Sequence, residues 1–442
     1  MRYCQADSVT TANAEYLSPA ELRPILQQHW AKQAAYVMAQ SGFYQRHFAG
    51  LKLTGDLAEI ADLPFTDKEM LRNEQRDQPP FGSYLAADER DIVRMHRTSG
   101  TTGTAMNLAL TQQDALMTAV IGARAQRASG LRPEHRVVHC LNYQLWMGGY
   151  TDHATLEATG AMTIPFGVGN TKQLVELIRQ LKITAISCTP SYPAVLEQVI
   201  RESFPELEPR DLGLELGLFG GEAGLDDPAF RERLEQTWGF KVRNANYGVT
   251  DVLCNFAGQS TLSHDLHFMA PDVLYPELIE PDSGSLKPWQ AGETGELVLT
   301  HLCKEAQPLV RFRTGDIITL TGTDKAACGR MVPRFRVVGR SDDMVVVRGI
   351  NVFPTQVAAV INPISALSGE YRIILNSKPP YDRLLLEVEL ELVDEQADPT
   401  ALKAQIAAAL KQHIGVSAEV KLLAPHSFPK TAGKTKRVQR NF

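Results

Sequence analysis

Between about residues 115 and 250, short apolar runs alternate with stretches of helix length, and this alternation narrows the fold more than any other feature of the chain. The runs 136–140, 161–165 and 183–188 are strand-sized, whereas 172–181 and 192–203 carry apolar residues at the three- and four-residue spacing of a helix. Strand and helix at this pitch imply parallel strands joined by crossover helices. Ahead of them, 18–41 reads as peripheral helix. From Leu253 to Leu320 the pattern becomes mostly strand, clearest at 273–280 and 295–301, which suits a second sheet or a barrel. After Arg340, the alternation in 384–392, an amphipathic helix over 400–413 and a strand over 418–423 suggest a smaller α+β unit. With 442 residues the chain exceeds what one core serves. The expected class is therefore multidomain α/β: an N-terminal domain over 1–340 with parallel α/β sheets and a β-rich subdomain, then a small α+β domain over 341–442.

Composition constrains the partners. Hydrophobic residues at 44% and charged residues at 22% describe a folded chain, and a net charge of −6 offers no general attraction to a polyanion, so nucleic acid is not expected as a partner. The start, MRYCQADSVTTANAEYL, lacks the basic-then-apolar order of a signal peptide, and nowhere do 18 apolar residues run together. A cytoplasmic location without a membrane partner is the expectation. In that reducing setting the six cysteines are read as buried thiols, metal ligands or reactive thiols rather than disulfides.

The strongest local signal is the run Arg97-Thr98-Ser99-Gly100-Thr101-Thr102-Gly103-Thr104, directly after a short apolar segment. Glycines let backbone N–H groups approach an anion, and hydroxyls donate to phosphate oxygens, so such a run is able to wrap a polyphosphate. It is not the usual P-loop, because no Gly-Lys-Ser/Thr follows. Taken alone it reads first as an ordinary loop. Five further segments accompany it in order: Phe219-Gly220-Gly221-Glu222-Ala223, Asn246-Tyr247-Gly248-Val249-Thr250-Asp251, Arg311-Phe312-Arg313-Thr314-Gly315-Asp316, Gly339-Arg340-Ser341-Asp342-Asp343, and Pro429-Lys430-Thr431-Ala432-Gly433-Lys434-Thr435-Lys436-Arg437. Together these resemble the core motifs of the adenylate-forming superfamily over about residues 60 to 440. The segments 308–316 and 348–356 look like its phenylacetate-CoA ligase branch.

That resemblance implies an enzyme that uses Mg-ATP to convert a carboxylic acid to its acyl-adenylate, releasing pyrophosphate, and then passes the acyl group to coenzyme A. Thr98, Ser99, Gly100, Thr101, Thr102 and Gly103 would cradle the polyphosphate. Gly221, Glu222, Asn246, Tyr247, Gly248, Asp316 and Arg340 would complete the nucleotide site, with Asp316 accepting both ribose hydroxyls and Tyr247 near the adenine. Thr250 would meet the α-phosphate. Asp251 stands where the family usually has Glu as a Mg2+ ligand, and Thr104 where it more often has Lys, so the polyphosphate site has one cation fewer, with Arg97 as partial compensation. Lys434 would carry an ammonium to the reacting groups, although Lys430, Lys434, Lys436 and Arg437 also read as a solvated basic tail. Asp342 aligns with the hinge about which the small domain rotates between the two half-reactions.

For the acid, the branch points to an aryl or small acid held by the stretch around Tyr143 and Trp146 together with Phe219 and Gly220; both aromatics also read as core packing. Some relatives carry a structural zinc in the region of Cys254, His264, Cys303 and Cys328, against which stand four separately placed residues. The acceptor stays open between coenzyme A, a carrier protein and another nucleophile. A nucleotide-binding regulator without catalysis is the rival from another class. A homodimer is common among the proteins this one resembles.

Overall fold

The computed structural model describes residues 10–98, 105–222, 224–391, 398–428 and 437–442. The chain divides into two compact units. The larger takes the residues up to Gly221, then Leu234–Thr314 and Ile318–Arg336; the smaller takes Glu222–Arg233, Gly315–Ile317 and Val337–Phe442.

The larger unit opens with α1 (Pro19–Gln40), launched by a reciprocal capping box in which the Ser18 hydroxyl accepts from the Glu21 N–H while the Glu21 carboxylate accepts from the Ser18 N–H. Next come α2 (Gly42–His47) and α3 (Lys68–Asp77), the latter capped by the Asp67 carboxylate, which accepts from the N–H groups of Glu69 and Met70. An antiparallel ribbon follows, β1 (Ile92–Arg97) against β2 (Asn107–Thr111), and leads into α4 (Gln112–Ala128).

The expected alternation then appears. Strands β3 (Arg136–His139), β4 (Met162–Pro165), β5 (Ala185–Cys188), β6 (Leu216–Gly220) and β7 (Lys241–Val249) are separated by α5 (Met147–Glu157), α6 (Thr171–Gln180), α7 (Tyr192–Ser203) and α8 (Pro228–Trp238). Neighbouring pairs from β4 through β7 are all parallel. Every residue of β5 and β6 is buried, as a sheet covered on both faces requires.

The strand-rich segment is not a separate sheet or barrel. Strands β8 (Leu253–Ser260), β9 (Ser263–Phe268), β10 (Leu274–Ile279), β11 (Thr294–His301), β12 (Phe312–Gly322) and β13 (Arg334–Arg340) continue the same eleven-stranded order, β10-β11-β12-β13-β9-β8-β7-β6-β5-β3-β4. The reason lies in β7, which pairs parallel with β6 on one edge and antiparallel with β8 on the other. No helix is long and apolar enough to cross a membrane, among the described residues.

The smaller unit holds a hairpin, β14 (Val345–Val347) with β15 (Ile350–Val352), followed by α9 (Pro354–Ile361). Its main sheet orders as β18 (Ala418–Leu423), β17 (Leu384–Leu390), β16 (Leu367–Leu375) and β19 (Val438–Arg440). Helix α10 (Pro399–His413) buries Leu402, Ile406 and Leu410 in a core with Val357, Ile373 and Leu386.

Asp114, fully buried at the start of α4, ties three parts of the larger unit together. Its carboxylate accepts from the N–H groups of Thr111, Glu305 and Ala306, and the buried Lys304 ammonium lies 4.0 Å away. Asp114→Ala removes a helix cap and leaves that ammonium and two backbone donors without their acceptor. The expected loss is about 3–5 kcal/mol, the scale for deleting one member of a buried charged network, read as a lower midpoint in urea unfolding.

Candidate active site

The hydroxyl-glycine run begins where β1 ends. Thr98 is buried; its N–H donates to the Met106 carbonyl and its hydroxyl accepts from the Met106 N–H, both at 2.9 Å. These two bonds fasten Thr98 to Met106. Ser99, Gly100, Thr101, Thr102, Gly103 and Thr104 themselves lie outside the described residues.

The second motif falls at the turn from β7 to β8. A Cβ at Gly248 would sit 2.0 Å from the Cys254 carbonyl oxygen, so the two backbones pass at a distance that glycine alone permits. The pairing register breaks at this point, between Tyr247 and Val249, and the chain reverses through Thr250 and Asp251, closed by the Val252 N–H on the Val249 carbonyl. Tyr247 is held edge-on between Phe256 and Phe335, with ring centres 5.3 and 5.4 Å away. Thr250 is half-buried. The Asp251 side chain is 4% exposed, and its Oδ2 meets Lys68 Nζ at 2.7 Å; its Oδ1 is buried without a hydrogen-bond partner. Lys68 belongs to no motif, and the sequence hinted at it only through the Asp67 cap that starts α3.

Asn246 donates from Nδ2 to Asp152 Oδ2 at 2.5 Å. Asp152, on α5, is buried and also hydrogen-bonded to Cys254; burial pushes its carboxyl up to about 7, against the pull of these two partners. Tyr143 is half-buried, its hydroxyl 2.9 Å from His153 Nδ1 and its ring edge-on to His139. Trp146 is 37% exposed at the N-terminus of α5 rather than packed in the core. Phe219 is fully buried against Phe240, a core position, while Gly220 approaches the Asn246 backbone so closely that a Cβ would lie 2.5 Å from its carbonyl oxygen. Gly221 takes a φ of 82°, open to glycine at little cost.

In the smaller unit, Asp316 is buried and bonded to Arg340 at 2.7 Å, and Arg340 also holds the exposed Asp342 at 2.9 Å. The arginines of the Asp316 motif have other partners: Arg311 pairs with Glu277 and Arg313 with Glu296. Glu222 is half-buried. Lys434 lies outside the described residues.

The four suggested zinc ligands are not brought together. Cys254 faces Asp152; Cys303 Sγ lies 3.3 Å from His29 Nδ1; Cys328 Sγ lies 3.5 Å from His267 Nε2, not His264; and His264 is exposed. No group of three or more His, Cys, Asp or Glu capable of holding a metal occurs among the described residues. The ligand spacing was scattered rather than paired, and the fold sends each residue to a different neighbour.

Comparison with known proteins follows the same lines. The AMP-binding enzyme family matches residues 17–302, and the AMP-binding enzyme C-terminal domain matches residues 349–441. A phenylacetate-coenzyme A ligase of Thermus thermophilus is 33% identical over 96% of this chain and 97% of its own length. A phenylacetate-coenzyme A ligase of Pseudomonas putida is also 33% identical, over 97% and 95%. Among solved structures, 2-hydroxyisobutyryl-CoA ligase in the postadenylation state, in complex with 2-HIB-AMP, superposes with a TM-score of 0.86 at 28% identity, covering 98% of this chain and 94% of that one.

Asp152 yields a pH signature. Its folded value of about 7 lies above the ordinary carboxyl value of 3.8, so between those limits the folded state binds the proton more tightly than the unfolded chain does. The contribution to stability is complete below about pH 4 and is lost as pH rises towards 7. Asp152→Asn keeps an acceptor for Asn246 and removes the titration. Thermal unfolding at pH 5 and pH 8 should show a smaller difference between the two conditions in the variant than in the parent.

Proposed function

The chain belongs to the AMP-binding enzyme family, in its phenylacetate-coenzyme A ligase-like branch, and from that membership we propose that it activates a carboxylic acid with ATP and transfers the acyl group to coenzyme A. The observation that carries the reading is likeness to coenzyme A ligases along nearly the whole of both chains. The acid we propose is an aryl or small acid, and the acceptor is the coenzyme A thiol.

In the first half-reaction a carboxylate attacks the α-phosphorus of ATP and pyrophosphate leaves; in the second the thiol displaces AMP. Both reactants of the first step are anionic, so the site must gather donors and positive charge where negative charge develops. We assign the polyphosphate to the backbone and hydroxyls of Thr98 to Gly103, and the α-phosphate to Thr250, whose place in a turn fixed by the Gly248 contact supports a rigid hydroxyl. Gly221, Glu222, Asn246, Tyr247, Gly248 and Arg340 complete the nucleotide site. Asp316 is the ribose acceptor, a buried carboxylate that Arg340 already holds in place at 2.7 Å. Tyr143, Trp146 and Gly220 are assigned to the acid; Phe219, buried against Phe240, supports the wall from behind.

Mg2+ fits the donor set: Asp251 Oδ1 is a buried carboxylate oxygen with no hydrogen-bond partner, the hard donor this cation takes. Asp251 would hold it, and bound there it would neutralise phosphate charge. Zinc does not fit, since its suggested ligands diverge. The domains are read as 1–340 and 341–442 with Asp342 as hinge; a compact unit that takes Val337–Phe442 supports the second domain, and it also takes Glu222–Arg233 and Gly315–Ile317 from within the first. A cytoplasmic homodimer completes the proposal.

The test is product analysis by mass spectrometry after incubation with Mg-ATP, coenzyme A and a pool of acids including phenylacetate and 2-hydroxyisobutyrate. An acyl-CoA is the expected product. Acyl-AMP without thioester moves the acceptor to a carrier protein or another nucleophile, and neither product favours a nucleotide-binding regulator. With the acid so identified, Lys434→Ala should slow pyrophosphate release on the order of 100- to 1,000-fold, the scale for losing one donor to the transition state.

A further inference from the structure

Lys68 is the first residue of α3, and α3 is fixed to two pieces of the site. Near its far end, the Gln75 side chain bonds both ways with the Asn107 backbone, at 2.6 and 2.8 Å, just past the segment 99–104. At its near end, Thr66 is laced to the strand of the Asp316 motif: its N–H donates to the Arg311 carbonyl at 3.0 Å, and its carbonyl accepts from the Arg313 N–H at 2.9 Å. Lys68 is thereby held beside Asp251, 2.7 Å from Oδ2.

A lysine recruited merely to neutralise a buried aspartate leaves two facts unexplained. Asp251 Oδ1 is buried and has no hydrogen-bond partner, at a site where an unmet carboxylate oxygen is costly. The Lys68 side chain is 32% exposed, against 4% for Asp251, and an ammonium has three donors, of which the bond to Asp251 uses one. The pair is thus closed on the aspartate side and open on the lysine side.

We propose that Lys68 is a phosphate-binding residue whose ammonium, paired with Asp251, turns to the nucleotide's phosphates when Mg-ATP binds. The exchange conserves charge pairing: the carboxylate passes from the ammonium to the divalent cation, and the ammonium from the carboxylate to the phosphate anion. It rests on the adenylation reading given above.

The test is calorimetric titration of the full chain with Mg-ATP in the absence of any acid, so that binding is read without turnover. Lys68→Met should weaken binding about 10- to 100-fold, the scale of one hydrogen bond between charged groups, and Lys68→Arg should recover most of it. Because Lys68→Met leaves Asp251 unpaired, the same change is also made in an Asp251→Asn background, where no buried charge is stranded; a further loss there on replacing Lys68 supports the proposal. Binding unchanged by the lysine substitution in both backgrounds, with only the melting temperature moved, would reduce the pair to a structural ion pair and overturn it. If the parent chain itself fails to bind Mg-ATP, the adenylation reading falls and takes this proposal with it, whereas binding by the parent confines any failure to Lys68.

Discussion

The close passage of Gly248 over the Cys254 carbonyl is the constraint from which the site follows. Any side chain at 248 would push β7 and β8 apart, because the obstruction is backbone and cannot rotate away. With glycine there, β7 pairs on both edges and joins a parallel half-sheet to an antiparallel one. The same approach breaks the register and forces a tight reversal, and the reversal presents Thr250 and Asp251. Fold continuity and site geometry therefore have a common cause.

Arg311 and Arg313, which flank Phe312 in the Asp316 motif, are committed to Glu277 and Glu296, and Arg311 also donates to the Leu63 carbonyl at 2.6 Å. Arg311 adopts a φ of 47°, unusual for a residue with a side chain, and its guanidinium lies over the Phe65 ring at 4.1 Å. Such a conformation persists where the surroundings over-determine it. Both arginines thus serve the packing of the larger unit.

Local pattern carried much of the fold. The run 418–423 is a strand with those bounds, and 192–203 is a helix with those bounds, because amphipathic spacing and Pro or Gly boundaries act within a few residues. The union of the two half-sheets was not legible, since it depends on β7 offering both edges, and an edge leaves no mark in composition. Within the candidate site, contiguous residues such as Asn246 to Asp251 could be read together from the sequence. It was not legible where the partner comes from far along the chain: Lys68 to Asp251 spans 183 residues and Asn246 to Asp152 spans 94. Zinc ligation was suggested because four residues of suitable type lie within a limited stretch, but type without convergence holds no ion, and Cys254 instead faces a carboxyl.

That carboxyl also bears on how Asn246 is oriented. An amide has two possible placements of its oxygen and nitrogen, and in this structure Nδ2 is the atom turned towards Asp152 Oδ2. Burying Asp152 is costly when it is charged and much less so when it is protonated, which is why burial raises its value to about 7 while Asn246 and Cys254 pull it back. The arrangement trades some stability near neutral pH for a fixed amide on β7, in the strand whose end carries the Thr250–Asp251 turn.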